Sequence, residues 1–177
     1  MQDLSLHILD IVENATQAGA TFIEIDISED INKDLLQISI QDNGRGMDAE
    51  MLRGATDPFM TTRTTRRVGM GLPLLKQAAR ETGGDLRIIS ELGKGTRVVA
   101  TFQKSHIDRR PLGDMGATLT TLIMGNPDRD FVYASNLREE KVEVDTRSIR
   151  KELDGARSIN DPAVIRLIRD LFRKRVD

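Results

Sequence analysis

Apolar residues recur at helical spacing from the start of the chain. Leu4, Ile8, Ile11, Val12 and Ala15 share one face of a helix predicted over 4–18. A step of about 100° per residue puts His7, Asp10, Asn14 and Gln17 on one polar stripe. Gly19 stops the helix. The period then changes to two. Ile23, Ile25 and Ile27 alternate with Glu24, Asp26 and Ser28, and Leu36, Ile38 and Ile40 alternate with Gln37, Ser39 and Gln41. This predicts two half-buried strands, 22–28 and 35–41, joined by a polar loop. Asp48 caps a short helix that runs to Arg53. Residues 54–70 show little periodicity and predict a loop. A second helix follows over Leu72–Thr82, with Pro73 in its first turn and Gly83-Gly84 after its end. Asp85–Glu91 and Thr96–Gln103 read as a hairpin. The pattern predicts an α+β fold with a helix layer on one antiparallel-rich sheet.

A seam lies at Ser105–Gly113, where Arg109-Arg110-Pro111 interrupts regular structure. Beyond it the pattern predicts a helix at 112–124 and strands at Phe131–Ala134 and Lys141–Asp145. A last helix, capped by Asp161, runs to about Lys174. Its predicted apolar stripe is Val164, Leu167, Ile168 and Leu171. The division is 1–104 for the main domain and 105–177 for a small α-β-β-α extension. A tail of this size is marginal for a core of its own, so it is expected to pack on the first domain or on a partner.

Composition removes several classes of function. The chain has 177 residues, a formal net charge of −2 and 3% aromatics. No global basic field or base-stacking platform points to nucleic acid. No apolar run reaches the length of a membrane span, and the N-terminus lacks the pattern of a secretory signal. Cysteine is absent, which excludes thiol chemistry and cysteine-ligated metals and fits a reducing, cytoplasmic setting. The two histidines, His7 and His106, are too far apart in sequence to suggest a metal cluster.

Three segments carry candidate chemistry. Asn14 is a neutral oxygen donor of a type that Mg²⁺ accepts, and Asp10, one turn earlier, could orient or deprotonate a water. The plainer reading is a solvated helix stripe. Asp42-Asn43-Gly44-Arg45-Gly46-Met47 ends a strand. Its plainer reading is a tight turn. A functional reading has Asp42 accept from an exocyclic amine while Gly44 and Gly46 admit a flat ring close to the backbone. Gly69-Met70-Gly71-Leu72 opens a helix, where backbone N–H groups and the dipole suit phosphate oxygens. It lacks the Gly-Lys-Ser/Thr ending of a Walker loop and the full dinucleotide fingerprint.

In order along the chain, Asp10-Ile-Val-Glu13-Asn14-Ala15, Asp42 to Met47, Asp57-Pro58-Phe59 with Thr61-Thr62-Arg63, Gly69 to Leu72 and Gly93-Lys94-Gly95-Thr96 resemble the successive boxes of the GHKL superfamily. That group holds gyrases, heat-shock chaperones, histidine kinases and mismatch-repair ATPases. The Asp-Pro-Phe and Gly-Lys-Gly-Thr segments most resemble histidine-kinase ATP-binding domains, and the run 13–21 also resembles mismatch-repair ATPases. The resemblance spans roughly residues 4–103 and implies a Bergerat ATP-binding fold, a two-layer α/β sandwich with helices on one face of a mixed, mostly antiparallel sheet. It implies that Asn14 ligates Mg²⁺ at the phosphates and that Asp42 binds the adenine amino group. Gly44, Gly46 and Met47 would line the base pocket and Thr96 would complete it. Gly69, Gly71 and the Leu72 amide would hold phosphates. Residues 55–68 would form an ATP lid, with Arg63, Arg66 and Arg67 as phosphate partners.

Two departures bear on activity. Hydrolytic members of the superfamily usually carry Glu where this chain has Asp10, and kinase members often carry Asn. Sensor kinases also carry a phosphoacceptor histidine on a helical segment before this domain, whereas this chain opens at the ATP-site helix. The expectation is a stand-alone form in which His7 is structural or supports the site from behind, and is not the phosphorylated residue. The whole chain also resembles short ATP-binding proteins found with multisubunit iron hydrogenases of anaerobic bacteria. The function implied is Mg²⁺-dependent ATP binding, with hydrolysis or phosphoryl transfer to a separate partner protein. The alternative is a non-hydrolysing, ATP-gated regulatory subunit. A homodimer stays open. A degenerate domain that binds no nucleotide fits poorly, because every box keeps its glycines and Asn14 and Asp42 are present.

Overall fold

The two periods of the sequence separate into two layers. A computed structural model of the chain describes residues 3–57, 71–138 and 140–173. The helical pattern at the start forms α1 (Leu4–Gln17). The first alternating runs form β1 (Phe22–Asp30) and β2 (Leu35–Asp42), paired antiparallel with Ile25 opposite Ile40. Asp48 caps α2 (Ala49–Gly54), its Oδ1 accepting the amides of Glu50 and Met51. Then follow α3 (Gly71–Glu81), β3 (Leu86–Glu91) and β4 (Gly95–Gln103).

Residues 105–177 supply α4 (Met115–Gly125), β5 (Asp130–Leu137), β6 (Glu140–Asp145), α5 (Thr146–Leu153) and α6 (Pro162–Arg173). Among the described residues the sheet has six strands in the order β3-β4-β2-β1-β5-β6. β1 and β5 pair in parallel and the other neighbours pair antiparallel. The tail therefore extends the sheet at the β1 edge. It also shares the core, where Ile23, Ile25 and Ile27 meet Phe131, Tyr133, Leu119 and Ile123 in one buried cluster. The chain is thus α+β, with α1, α3, α4 and α6 packed side by side over one sheet face. No helix among the described residues is long and apolar enough to cross a membrane.

Three local expectations change. His7 leaves the polar stripe and is fully buried, because the seam itself folds over the start of α1. Pro111 and Leu112 accept the amides of Leu4 and Ser5, and Arg110 comes within 3.4 Å of His7 Nε2. The stripe of α6 is also rotated. Val164 and Ile168 are buried, but Leu167 and Leu171 are 67% and 45% exposed. Phe172 turns inward instead, its ring 5.2 Å from that of Tyr133. Gly116 of α4 permits this approach, since a Cβ there would lie 3.0 Å from Phe172 Cβ.

Third, α5 has no counterpart in the predicted elements. Its apolar positions, Ile149 and Leu153, pack against the core, and polar anchors add to them. Thr146 is fully buried, its Oγ1 accepting the Phe131 amide and donating to Asp130. Arg147 lies over the Phe22 ring at 4.6 Å.

Candidate functional site

The inner sheet face is apolar along most of its length and turns polar at one end. Register explains this. Asp42 pairs with Thr96, and Thr96 pairs with Ser90. Three adjacent strands, β2, β4 and β3, thus end their inward-facing apolar runs in a polar residue at the same level. Ile23 continues the row on β1 opposite Asp42.

Asp42 is half-buried at the end of β2. Its Oδ1 accepts the Gly44 amide at 2.8 Å, and Thr96 donates a backbone N–H to its carboxyl. Burial raises its pKa above the usual carboxylate range, and these two hydrogen bonds oppose the rise. A carboxylate has about four acceptor positions, so two backbone donors leave capacity for a ligand donor.

The loop after Asp42 is tied on both sides. Asn43 Oδ1 accepts the amides of Thr21 and Phe22 at 2.8 and 2.9 Å, and its Nδ2 donates to Thr21 Oγ1. Asn43 therefore locks the loop onto the start of β1. Arg45 donates its amide to Ala18 at the end of α1, and its carbonyl accepts from Gly93 in the β3–β4 turn. Met47 donates its amide to Ser90 Oγ at 2.8 Å. Ser90 Oγ in turn donates to the Gly95 carbonyl and lies 2.9 Å from Thr96 Oγ1.

The glycines of this loop have a structural cause besides ring access. Gly46 has φ +67°, and a Cβ there would overlap the Glu91 carbonyl oxygen. At Gly44 a Cβ would lie 2.9 Å from Asp42 Oδ1 and 3.1 Å from the Ala18 carbonyl. The missing side chains leave room for the protein's own backbone and for the carboxylate.

α1 crosses beside this corner. Asn14 and Asp10 are half-buried on it, one turn apart. Asp10 meets the first residue of α3, where a Cβ on Gly71 would lie 3.1 Å from Asp10 Cβ and 3.4 Å from its Oδ2. Leu72 packs against the core from the first turn of α3. The structure thus brings together Asp10 and Gly71 at one place, and Asp42, Gly44, Gly46, Met47 and Thr96 at another, with α1 between them. Arg63, Arg66, Arg67 and Gly69 lie outside the described residues, as does 58–68 of the expected lid.

Ser90 does not stand out along the chain, and Asn43 does so only as part of the Asp42–Met47 segment. Ser90 had a signal. It ends an alternating run on the inward phase, as Asp42 does, but its meaning depends on strand pairing. Asn43 was masked by its own turn preference.

No cluster of three or more acidic or histidine side chains forms a metal cage among the described residues. Mg²⁺ is commonly held by one or two side-chain oxygens plus phosphates. The Asn14 amide and the Asp10 carboxylate, one turn apart on α1, are side chains of the types such a donor set uses.

Residues 2–106 match the family described as histidine kinase-, DNA gyrase B-, and HSP90-like ATPase. The tetrathionate sensor histidine kinase TtrS of Salmonella typhimurium is 40% identical over 81 residues, which cover 46% of this chain and 13% of that protein. The sensor protein kinase FleS of Pseudomonas aeruginosa is 39% identical over 89 residues, covering 50% and 22%. Sporulation kinase C of Bacillus subtilis is 33% identical over 88 residues, covering 50% and 20%. The chain thus spans less than a quarter of the length of these curated relatives. A solved N-terminal domain of a DNA repair protein shares the fold, with a TM-score of 0.58 at 17% identity over 81% of this chain and 52% of that one. With over half its residues matched to the family, the chain belongs to the histidine kinase-, DNA gyrase B-, and HSP90-like ATPases, and its ligand is ATP.

Proposed function

We propose that this chain binds Mg²⁺-ATP between α1 and the polar end of the sheet, and hydrolyses it or passes its γ-phosphoryl group to a separate protein. The observation that carries the reading is the row Ser90–Thr96–Asp42. It holds a half-buried carboxylate with spare acceptor capacity beside a loop tied to three elements. Asp42 accepts from the adenine amino group. Gly44, Gly46 and Met47 form the wall beside the ring, and Thr96 closes it. Gly69, Gly71 and the Leu72 amide meet the phosphates at the start of α3, where N–H groups and the dipole favour anions. Arg63 comes from the lid. Asn14 would hold Mg²⁺, which would supply screening of the phosphate charge.

Asp10 is the residue to which this reading assigns the proton. In hydrolysis a water oxygen bonds to the γ-phosphorus, the bond to the bridging oxygen breaks, and ADP leaves. Asp10 orients that water and takes its proton. In phosphoryl transfer the attacking atom belongs to the acceptor protein instead. A reducing, cytoplasmic setting suits a chain without cysteine.

Asp42→Asn is expected to weaken ATP binding by roughly 1–3 kcal/mol, about 5- to 150-fold, because the amide cannot replace the carboxylate facing a buried donor. Isothermal titration reads this, and unchanged affinity removes Asp42 from the adenine site. Asp10→Ala should leave binding nearly intact and reduce phosphate release to background. Label transfer from ATP to an acceptor, lost in Asn14→Ala, identifies the kinase reading. ATP binding with neither release nor transfer identifies the regulatory alternative.

A further inference from the structure

A cavity of about 850 Å³ lies at the other end of the sandwich. Leu36 lines it, six residues along β2 from Asp42, so it is roughly 20 Å from the adenine corner at strand spacing. Its volume falls in the range of small-molecule sites. Its apolar wall comes from four elements, with Tyr133 on β5, Val142 on β6, Met115 on α4 and Phe172 on α6.

The mouth is basic. Arg138, Arg169 and Arg173 line it and are exposed. Most of the acidic charge nearby is already engaged. Glu29 is paired with Lys104 at 3.0 Å and accepts the Arg138 amide. Asp114 caps α4 through the Ala117 amide. Among the described residues Arg169 makes no ion pair, and Arg173 approaches only Asp170, at 3.9 Å. Glu140 is the remaining acid of the lining. An apolar wall, interrupted by Ser135, with a cationic mouth matches a molecule that is apolar along its body and anionic at one end.

We propose that this cavity binds a small anionic amphiphile, a fatty-acid-like carboxylate, with its chain against Tyr133, Val142 and Phe172 and its head at Arg138 and Arg169. The site is separate from the nucleotide site and does not depend on how ATP is used.

The protein supplies its own reporter. Tyr133 is the chain's one tyrosine, and tryptophan is absent. Tyrosine fluorescence of the full chain therefore reports on the cavity wall alone. Decanoate, titrated below its micelle concentration, should change that fluorescence saturably. The Arg138→Ala/Arg169→Ala variant, altered only at exposed positions, should bind about tenfold more weakly or less, from loss of charge-assisted hydrogen bonds. Decan-1-ol, with the same chain and no charge, should bind no better to wild type than to that variant. Val142→Phe, which narrows the cavity, should abolish the response while thermal melting stays cooperative.

The proposal is overturned if decanoate gives no saturable change. It is also overturned if the arginine variant binds decanoate as wild type does. Sedimentation with phosphatidylglycerol vesicles without any decanoate response would assign the basic mouth to a lipid surface and overturn the cavity site too.

Discussion

Gly46→Ala should destabilise the protein by about 2–5 kcal/mol. A non-glycine residue in the left-handed region costs roughly 1–2 kcal/mol. At φ +67° the new Cβ would also overlap the Glu91 carbonyl oxygen and stand 3.0 Å from the Gly95 carbonyl. Both obstacles are backbone, so neither can swing aside. Relief requires the 44–47 loop to leave the β3–β4 turn, which breaks the Met47–Ser90 and Gly93–Arg45 hydrogen bonds. Forced crowding of this kind adds roughly 1–3 kcal/mol.

Gly93 is the control. It also has positive φ, +82°, but a Cβ there meets nothing within 4 Å. Gly93→Ala should therefore show only the conformational cost, about 1–2 kcal/mol. Urea denaturation of the two variants separates the contributions. Equal losses would remove the crowding argument.

The second large effect is a loss of stability in mild acid that traces to His7. Its side chain has no exposed surface, and its Nδ1 has no hydrogen-bond partner among the described residues. Burial first, and then the Arg110 guanidinium beside Nε2, push its pKa from 6.5 to about 4. Between those values the unfolded chain binds a proton that the folded chain refuses. Stability from neutral His7 is therefore complete above pH 6.5 and declines as pH falls toward 4. The whole window is worth about 3 kcal/mol.

His7→Leu should flatten the decline, since an apolar side chain of similar size carries no proton. Other groups act elsewhere or in the opposite sense. Asp34 and Asp85 have lowered pKa values from hydrogen bonds, so their contribution is lost at lower pH. Asp42 has a raised pKa, so its proton uptake favours the folded state in acid. Denaturation midpoints at pH 7 and pH 5, for wild type and His7→Leu, make the comparison. A wild-type slope that persists in the variant would assign the acid sensitivity to other groups.

Much of the architecture can be read along the chain. The helical spacing of Leu4, Ile8, Ile11 and Val12 marks α1, and the alternation of Ile23, Ile25 and Ile27 marks β1. Both patterns are local, so a linear reading finds them. The rotation of α6 is different. Val164, Leu167, Ile168 and Leu171 all suit an apolar stripe, but α4 selects Val164, Ile168 and Phe172 because Gly116 lets the Phe172 ring approach. That choice belongs to two helices at once. α5 is hidden for a related reason, since only Ile149 and Leu153 pack it against the core and Thr146 and Arg147 anchor it by contacts with β5 and β1.

The candidate site divides the same way. Asp10, Asn14, Asp42 and Thr96 stand in segments whose order along the chain carries the family resemblance, and that order is a property of the sequence. Ser90 became significant only when pairing set it beside Thr96 and Asp42. Gly46, which in sequence suggests room for a ring, is also required by the Glu91 carbonyl at the end of β3. The burial of His7 likewise depends on Arg110, Pro111 and Leu112 folding back over the start of α1. The sequence by itself determined most of the elements and the order of the boxes, because both are carried by near neighbours, and through the family resemblance of those boxes it indicated the ligand class. Tertiary structure decided the polar row, the crowding at Gly46, the burial of His7 and the far cavity, because each depends on distances between segments that only folding brings together.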